Sequence, residues 1–138
     1  MRYAPLLAAT AVLLLTTVAR ASPPVPVETA VVETGTGPCG VVAARDGALW
    51  VGVYGAGAVL SIDPGRGRVQ TRVAVGRWAC RIAVGPSALW VTRDRAGEVV
   101  RVSRGSGQRR RIQVGRSPFD LLLATGSLWV SSYDIPSR

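Results

Sequence analysis

The sequence predicts an all-β protein built from a four-stranded unit that repeats about every 40 residues, and three observations support this. The segment Ala-Leu-Trp-Val at 48–51 returns at 88–91, and Ser-Leu-Trp-Val follows at 127–130. Aligning the three tryptophans also brings a Gly-x-x-(Pro or Ala)-(Cys or Phe) segment into register three times, at 35–39, 76–80 and 115–119. No segment after residue 21 shows the helical period of about 3.6 residues.

Each unit divides into four short strands. The first is an apolar run such as 82–84 or 121–124, typical of a strand buried on both faces. The second, Leu49 to Tyr54, carries the repeated tryptophan, and the third follows a glycine-rich turn and spans 58–63. A Pro-Gly turn then leads to a fourth strand whose residues alternate between a packed and a solvent face. Four strands in about 40 residues are the signature of a β-propeller blade.

We therefore predict an incomplete β-propeller of about two and a half four-stranded blades plus an N-terminal closing strand. The blades span 35–76, 77–115 and 116–138, the last being incomplete. Residues 22–34 form a linker and an outer strand, because Val27 to Gly35 precede blade one where a fourth strand would lie. Propellers usually have four to eight blades, so two explanations stay open. The chain is a truncated piece of a longer propeller, which we favour, or copies of it associate through open blade edges to complete a ring.

The repeat resembles the YVTN, NHL and streptogramin-lyase-like (virginiamycin B lyase-like) propeller repeats of exported bacterial proteins. The resemblance rests on P-x-G-V-x-x-x-x-D-G-A-L-W-V at 38–51 and G-x-V-x-x-I-D-P-x-x-G-x-V at 57–69, and it covers 35–138. It implies a propeller fold. Lyases of this kind use a histidine-centred acid–base site, and this chain has no histidine. The resemblance therefore does not carry the lyase activity over.

Residues 1–21 have the layout of a secretory signal peptide. Arg2 precedes an apolar run at 4–18, and Ala19-Arg20-Ala21 forms a small-x-small cleavage pattern. The run is shorter than the roughly 20 residues of a membrane-spanning helix, although a retained anchor is the alternative. We expect a secreted or periplasmic protein after cleavage near Ala21.

The chain is strongly basic, with a formal net charge of +9, and none of its 17 basic residues is lysine. An exported protein seldom meets nucleic acid, so an anionic cell-surface polymer or a protein is the expected partner. The function expected from these features is a non-catalytic binding or interaction module. The alternative is a truncated propeller enzyme (a lyase, lactonase or quinoprotein-like protein) whose catalytic residues lie on missing blades.

The candidate ligand-binding residues lie on the face where the innermost strands begin, and no catalytic residue is assigned. Aromatic and arginine groups there suit an anionic or planar partner, and Asp120 is the one carboxylate predicted beside the channel mouth. The candidates are Trp78, Arg77, Arg81, Arg93, Arg116 and Asp120.

The two cysteines, Cys39 and Cys80, hold equivalent positions at the start of consecutive innermost strands. Export permits a disulfide between them. Two buried thiols are the alternative, because Phe119 fills the same position in the third unit. Two cysteines without a histidine make a metal site improbable, and no cofactor is expected.

Overall fold

The computed structural model describes residues 30–133, which form ten strands in three antiparallel sheets. Blade one contains β1–β4 in sequence order, blade two contains β5–β8, and blade three contains β9 and β10. The strands are β1 Pro38–Ala43, β2 Leu49–Val53, β3 Ala58–Asp63, β4 Arg68–Ala74, β5 Ala79–Val84, β6 Ala88–Arg93, β7 Glu98–Ser103, β8 Arg109–Gln113, β9 Pro118–Ala124 and β10 Ser127–Ser132. A single 3-10 turn, Asp94–Ala96, joins β6 to β7.

The predicted fold class is confirmed. The first strands of the three blades lie side by side, since β1 contacts β5 and β5 contacts β9, while each sheet extends outward from its first strand. Two complete blades and one half blade are therefore arranged as neighbouring sectors of a propeller. In the part of the chain that the structure describes, no helix is long and apolar enough to cross a membrane.

The main core lies between blades one and two. Trp50 and Val59 of blade one pack with Leu89, Val91 and Val100 of blade two. These side chains alternate along their strands with residues of the other face, as the period of two requires. The repeated tryptophan thus fills the space between its own blade and the next one. Trp50 is 8% exposed. Trp129 is 60% exposed, because it lies in blade three, the last blade among residues 30–133.

The N-terminal closing strand differs from the prediction. Residues 27–29 lie outside the described part, and residues 30–35 form no strand. A closing strand must pair with the outer edge of another blade's third strand, and blade three has only two strands among residues 30–133. Val32 instead packs on the outer face of blade one, against a cluster formed by Val51, Val53, Leu60 and Ile62.

The prediction that every first strand is buried on both faces holds only for blade two. β5 is largely buried, whereas Val41 in β1 is 68% exposed and Leu122 in β9 is 62% exposed. The reason is geometric: β5 lies between two blades, while β1 and β9 each contact only one other first strand. Burial on both faces therefore depends on the neighbouring blades as well as on the strand's own apolar residues.

Each blade has an irregularity at the same point of its first hairpin. The register shifts between Pro38 and Gly40 in β1, between Ala79 and Ile82 in β5, and between Val130 and Ser132 opposite the start of β9. A β-bulge locally changes the direction of side chains and increases strand twist. The bulge thus recurs at the position of Cys39, Cys80 and Phe119, next to the predicted ligand face.

Candidate functional site

A disulfide between Cys39 and Cys80 joins the first strands of blades one and two. Of the two alternatives that the sequence left open, a disulfide or two buried thiols, the structure has the disulfide. The two Cα atoms are 5.0 Å apart, within the usual range for a disulfide. The backbones approach closely here. A Cβ at Gly52 would lie 2.0 Å from the Cys80 carbonyl oxygen, and one at Gly40 would lie 2.9 Å from the same oxygen. Blade one therefore requires glycine at both positions.

Arg81 lies one residue beyond the disulfide and points toward blade three. Its guanidinium carbon is 5.0 Å from the centre of the Phe119 ring, a cation–π contact, and its backbone N–H donates to the Thr92 hydroxyl at 3.0 Å. The Nε atom of Arg81 is buried and has no hydrogen-bond partner among the described residues. Arg81 therefore places a positive charge between blades two and three, next to the Phe119 ring.

Trp78 precedes the first strand of blade two and has a left-handed backbone, with φ of 68°. Blades one and three place Gly37, with φ of 73°, and Ser117, with φ of 48°, at the equivalent position. Left-handed geometry is a strained conformation for a bulky residue. The Trp78 N–H donates to the Tyr54 carbonyl at 3.2 Å, and the Arg77 guanidinium carbon lies 5.9 Å from the Trp78 ring centre. The backbone of Trp78 is thus joined to the β2–β3 turn of blade one, and its half-buried ring lies beside Arg77.

Arg93 is engaged within the protein. It is 8% exposed, its Nη1 lies 2.5 Å from the Glu98 carboxylate, and its Nε donates to the Arg77 carbonyl at 3.1 Å. These contacts fix the loop that carries Arg77 and Trp78. A sequence signal for this role exists, because Arg93 and Glu98 flank the β6–β7 turn and are therefore direct cross-strand partners.

Arg116 and Asp120 lie on blade three and are both exposed. Arg116 lines a groove of about 410 Å³ together with Asp94, Arg95 and Gln113 of blade two. The Asp120 carboxylate accepts a hydrogen bond from the Leu121 N–H at 2.9 Å, and the Asp120 N–H donates to the Ser131 hydroxyl at 3.1 Å. The predicted residues are thus distributed over one face and the adjoining first strands, without forming a single closed pocket.

Tyr54 connects the loops of blades one and two on this face. Its hydroxyl donates to the Asp94 carboxylate at 3.3 Å. Burial, and then this hydrogen bond, raise the pKa of Tyr54 above its usual value, so the phenol stays protonated at neutral pH. Tyr54 can therefore act as a hydrogen-bond donor that positions the loops, but not as a base.

Among residues 30–133 no three histidine, cysteine, aspartate or glutamate side chains cluster as metal ligands would. The exposed side chains on this face include the positively charged Arg77 and Arg116. Arginine donors can match carboxylate and sulfate groups in bidentate geometry, and the rings of Trp78 and Phe119 lie beside Arg77 and Arg81.

No known protein family matches the chain, and no curated protein matches it by sequence. Solved structures do match. The Kuenenia stuttgartiensis hydrazine synthase has a TM-score of 0.65 at 23% identity over 74% of this chain and 31% of its own. A streptogramin B lyase has a TM-score of 0.62 at 19% identity over 75% of this chain and 42% of its own. Virginiamycin B lyase from Staphylococcus aureus has a TM-score of 0.56 at 18% identity over 67% of this chain and 33% of its own.

The chain therefore spans between 31% and 42% of the length of these solved structures. At identities below 25% such likenesses establish the fold and leave the activity undetermined. They show that the chain has a propeller-like fold and corresponds in extent to part of a propeller.

Proposed function

We propose that the chain is part of an exported β-propeller that binds anionic cell-surface polymers on the face carrying Arg77, Trp78, Arg81 and Arg116. The observation that carries the proposal is the conformation of Trp78. A left-handed tryptophan is strained by about 1–3 kcal/mol, and residues of this kind cluster at ligand-binding sites. The equivalent position in blade one is Gly37, which adopts the same backbone without this strain.

The charges around Trp78 support an anionic ligand. Arg77 and Arg116 are exposed, and Arg81 has a buried Nε without an acceptor among the described residues. Carboxylate or sulfate groups would form charge-assisted hydrogen bonds with the arginines on this face. Because the three arginines lie on two blades, a polymer with several charges suits the face better than one small anion.

The absence of histidine from the whole sequence favours binding over catalysis. Of the candidate residues only Asp120 could serve as an acid or base, and it is exposed, without a neighbouring carboxylate in the contacts described above. The proposed signal peptide would bring this face into contact with cell-surface polymers rather than with nucleic acid.

The proposal can be tested with heparin and polygalacturonic acid as probes and the chain without residues 1–21. We expect binding that weakens as salt is raised, because the contacts are ionic. Replacing Arg77, Arg81 and Arg116 together by alanine should weaken it about tenfold or more, since hydrogen bonds to charged groups contribute about 1.5–3 kcal/mol each.

A matched control removes the same charge elsewhere. Arg109, Arg110 and Arg111 are all exposed on β8, the outer strand of blade two. Their triple alanine variant should bind within about twofold of the unchanged protein if location decides binding. Equal losses in the two triple variants would show that net charge alone drives binding and would refute the proposed face.

A propeller enzyme is the second candidate, because two of the matched structures are streptogramin B lyases. The chain lacks histidine and spans at most 42% of those two structures, so further catalytic residues would have to lie outside it. Incubation with streptogramin B, followed by chromatography, should leave the compound unchanged. Turnover by the purified chain would favour the enzyme.

A further inference from the structure

A polar cavity lies on the opposite face of the propeller, between blades one and two. It has a volume of about 530 Å³, within the usual range of small-molecule sites. Its walls come from the β1–β2 and β3–β4 turns, the middle of β3 and β4, and Arg104 in the β7–β8 turn of blade two. It is thus separated from the arginine face by the thickness of the blades.

The equivalent groove between blades two and three shows why this cavity is open. In β7, Arg101 lies opposite Trp90, and its guanidinium carbon is 5.5 Å from the ring centre. In blade one the residue opposite Trp50 is Ser61. The short side chain leaves the space that arginine occupies in the second groove, whose volume is about 310 Å³. Serine therefore leaves Trp50 uncovered on this side, whereas arginine covers Trp90 in the second groove.

Two of the residues that line the cavity, Trp50 and Ser61, are themselves buried. Trp50 is 8% exposed, and its Nε1–H has no acceptor in the described part of the chain. Ser61 is 4% exposed. A buried donor without an acceptor is uncommon in folded proteins, and a bound ligand or an ordered water commonly explains it.

A β-bulge directs further polar groups to the same wall. The register of β3 and β4 shifts between Ser61 and Ile62, which leaves Gln70 without a direct partner next to Thr71. Both line the cavity. The pairing of β7 with β8 in blade two continues without such a shift. Bulges are frequent beside binding sites, where they redirect a side chain.

Two carboxylates complete the wall. Asp46 pairs with Arg104 across the two blades, and Asp63 pairs with Arg66 at 2.7 Å. The hydrogen bond from Arg104 lowers the pKa of Asp46, and that from Arg66 lowers the pKa of Asp63. Both carboxylates are therefore ionised at neutral pH, and each charge is balanced by an arginine. The cavity offers many hydrogen bonds and little net charge.

We propose that this cavity binds a small neutral saccharide. Sugar hydroxyls both donate and accept hydrogen bonds, so they suit a wall that offers carboxylate acceptors beside amide and hydroxyl donors. A neutral ligand also leaves the two ion pairs intact. The volume accommodates one or two sugar rings. This site is independent of the arginine face and of the anionic ligand proposed for it.

The test is calorimetric titration of the chain without residues 1–21 with glucose, galactose, N-acetylglucosamine, maltose and cellobiose. We expect at least one of them to bind with Kd of about 1 mM or tighter, with no loss when salt is raised. Ser61→Arg copies the residue of blade two and should weaken this binding about tenfold or more, because the added side chain fills the cavity.

A second variant avoids the blade interface. Gln70 and Thr71 are exposed, so Q70A/T71A should fold normally and weaken binding about tenfold, while Arg72→Ala on the same strand should leave it within about twofold. Absence of binding by every sugar, or unchanged binding in both S61R and Q70A/T71A, would overturn the proposal. The alanine variant at Arg77, Arg81 and Arg116 should bind the sugar normally, so the two proposals can fail separately.

Discussion

The two interfaces between the three blades use the same strand positions but are closed by different chemistry. Between blades one and two, Gly40 and Gly52 let the Cys80 backbone approach, and Cys39 bonds to Cys80. Between blades two and three, the corresponding residues of blade two are Arg81 and Thr92. The Arg81 side chain lies over Phe119 at 5.0 Å. One interface is covalent and tight, and the other is held by packing and a cation–π contact.

The difference shows that the bulged position in the first strand determines how a blade joins its neighbour. The backbone irregularity is shared by all three blades, while the residue at the bulge changes. Small residues accompany the disulfide, and a large cation accompanies the aromatic ring. The stability of each interface should therefore be measurable through a few substitutions.

The largest effect is expected from removing the disulfide. Cys39 and Cys80 are 41 residues apart in sequence, and a loop of that size corresponds to about 4 kcal/mol of stabilisation through the unfolded state. The C39S/C80S variant should lose about that much free energy of unfolding in urea denaturation. Dithiothreitol should destabilise the unchanged protein and have no effect on the variant. Equal stability with and without the reductant would show that the bond does not hold the interface.

Gly52→Ala should have the next largest effect, about 3 kcal/mol. Its Cβ would lie 2.0 Å from the Cys80 carbonyl oxygen, so the backbones of two blades must move apart. Gly105→Ala is the matched control, because nothing lies within 4 Å of its Cβ and its φ is not left-handed. Urea denaturation should find the control within about 0.5 kcal/mol of the unchanged protein. Similar losses in both variants would contradict the close approach.

Phe119→Ala tests the second interface and should cost about 1.5 kcal/mol, less than the value for a fully buried phenylalanine. The ring is 44% exposed, and its contacts include Arg81 and an edge-on approach to Tyr133, with ring centres 5.5 Å apart. Val41→Ala, at a side chain 68% exposed, serves as the control and should change little. A loss for Phe119→Ala as large as that of the disulfide variant would show that the interfaces are equally strong.

The sequence was sufficient to predict the strands because each carries its own signal. The tryptophan register, the glycine-containing turns and the apolar runs are local features, and they give the two complete blades and the half blade found in the structure. The N-terminal segment was less predictable, because strand formation at 30–35 depends on a partner edge elsewhere. Pairing of that kind is decided by tertiary contacts that a local pattern does not contain.

The candidate site was only partly predictable for a similar reason. Charge and position along the repeat place Arg77, Arg81 and Arg116 on or beside one face, but they do not distinguish a free guanidinium from one paired internally, as Arg93 is with Glu98. Comparing the repeats residue by residue would have shown more. Trp78 stands where another blade has glycine, and Ser61 stands where blade two has arginine. Both proposals therefore depend on residues that depart from the repeat.

The chemistry of sulfur limits how many blade interfaces can be joined by disulfides at the shared bulge position. A sulfur atom forms one disulfide, and the Cys80 sulfur is already bonded to that of Cys39. Cys80 lies at both interfaces of blade two but can form a disulfide across only one of them, whatever residue stands at 119. In any propeller extended with this repeat, no two successive interfaces could both be joined by disulfides at this position. A ring closed in this way with an odd number of blades would keep at least two neighbouring interfaces free of them.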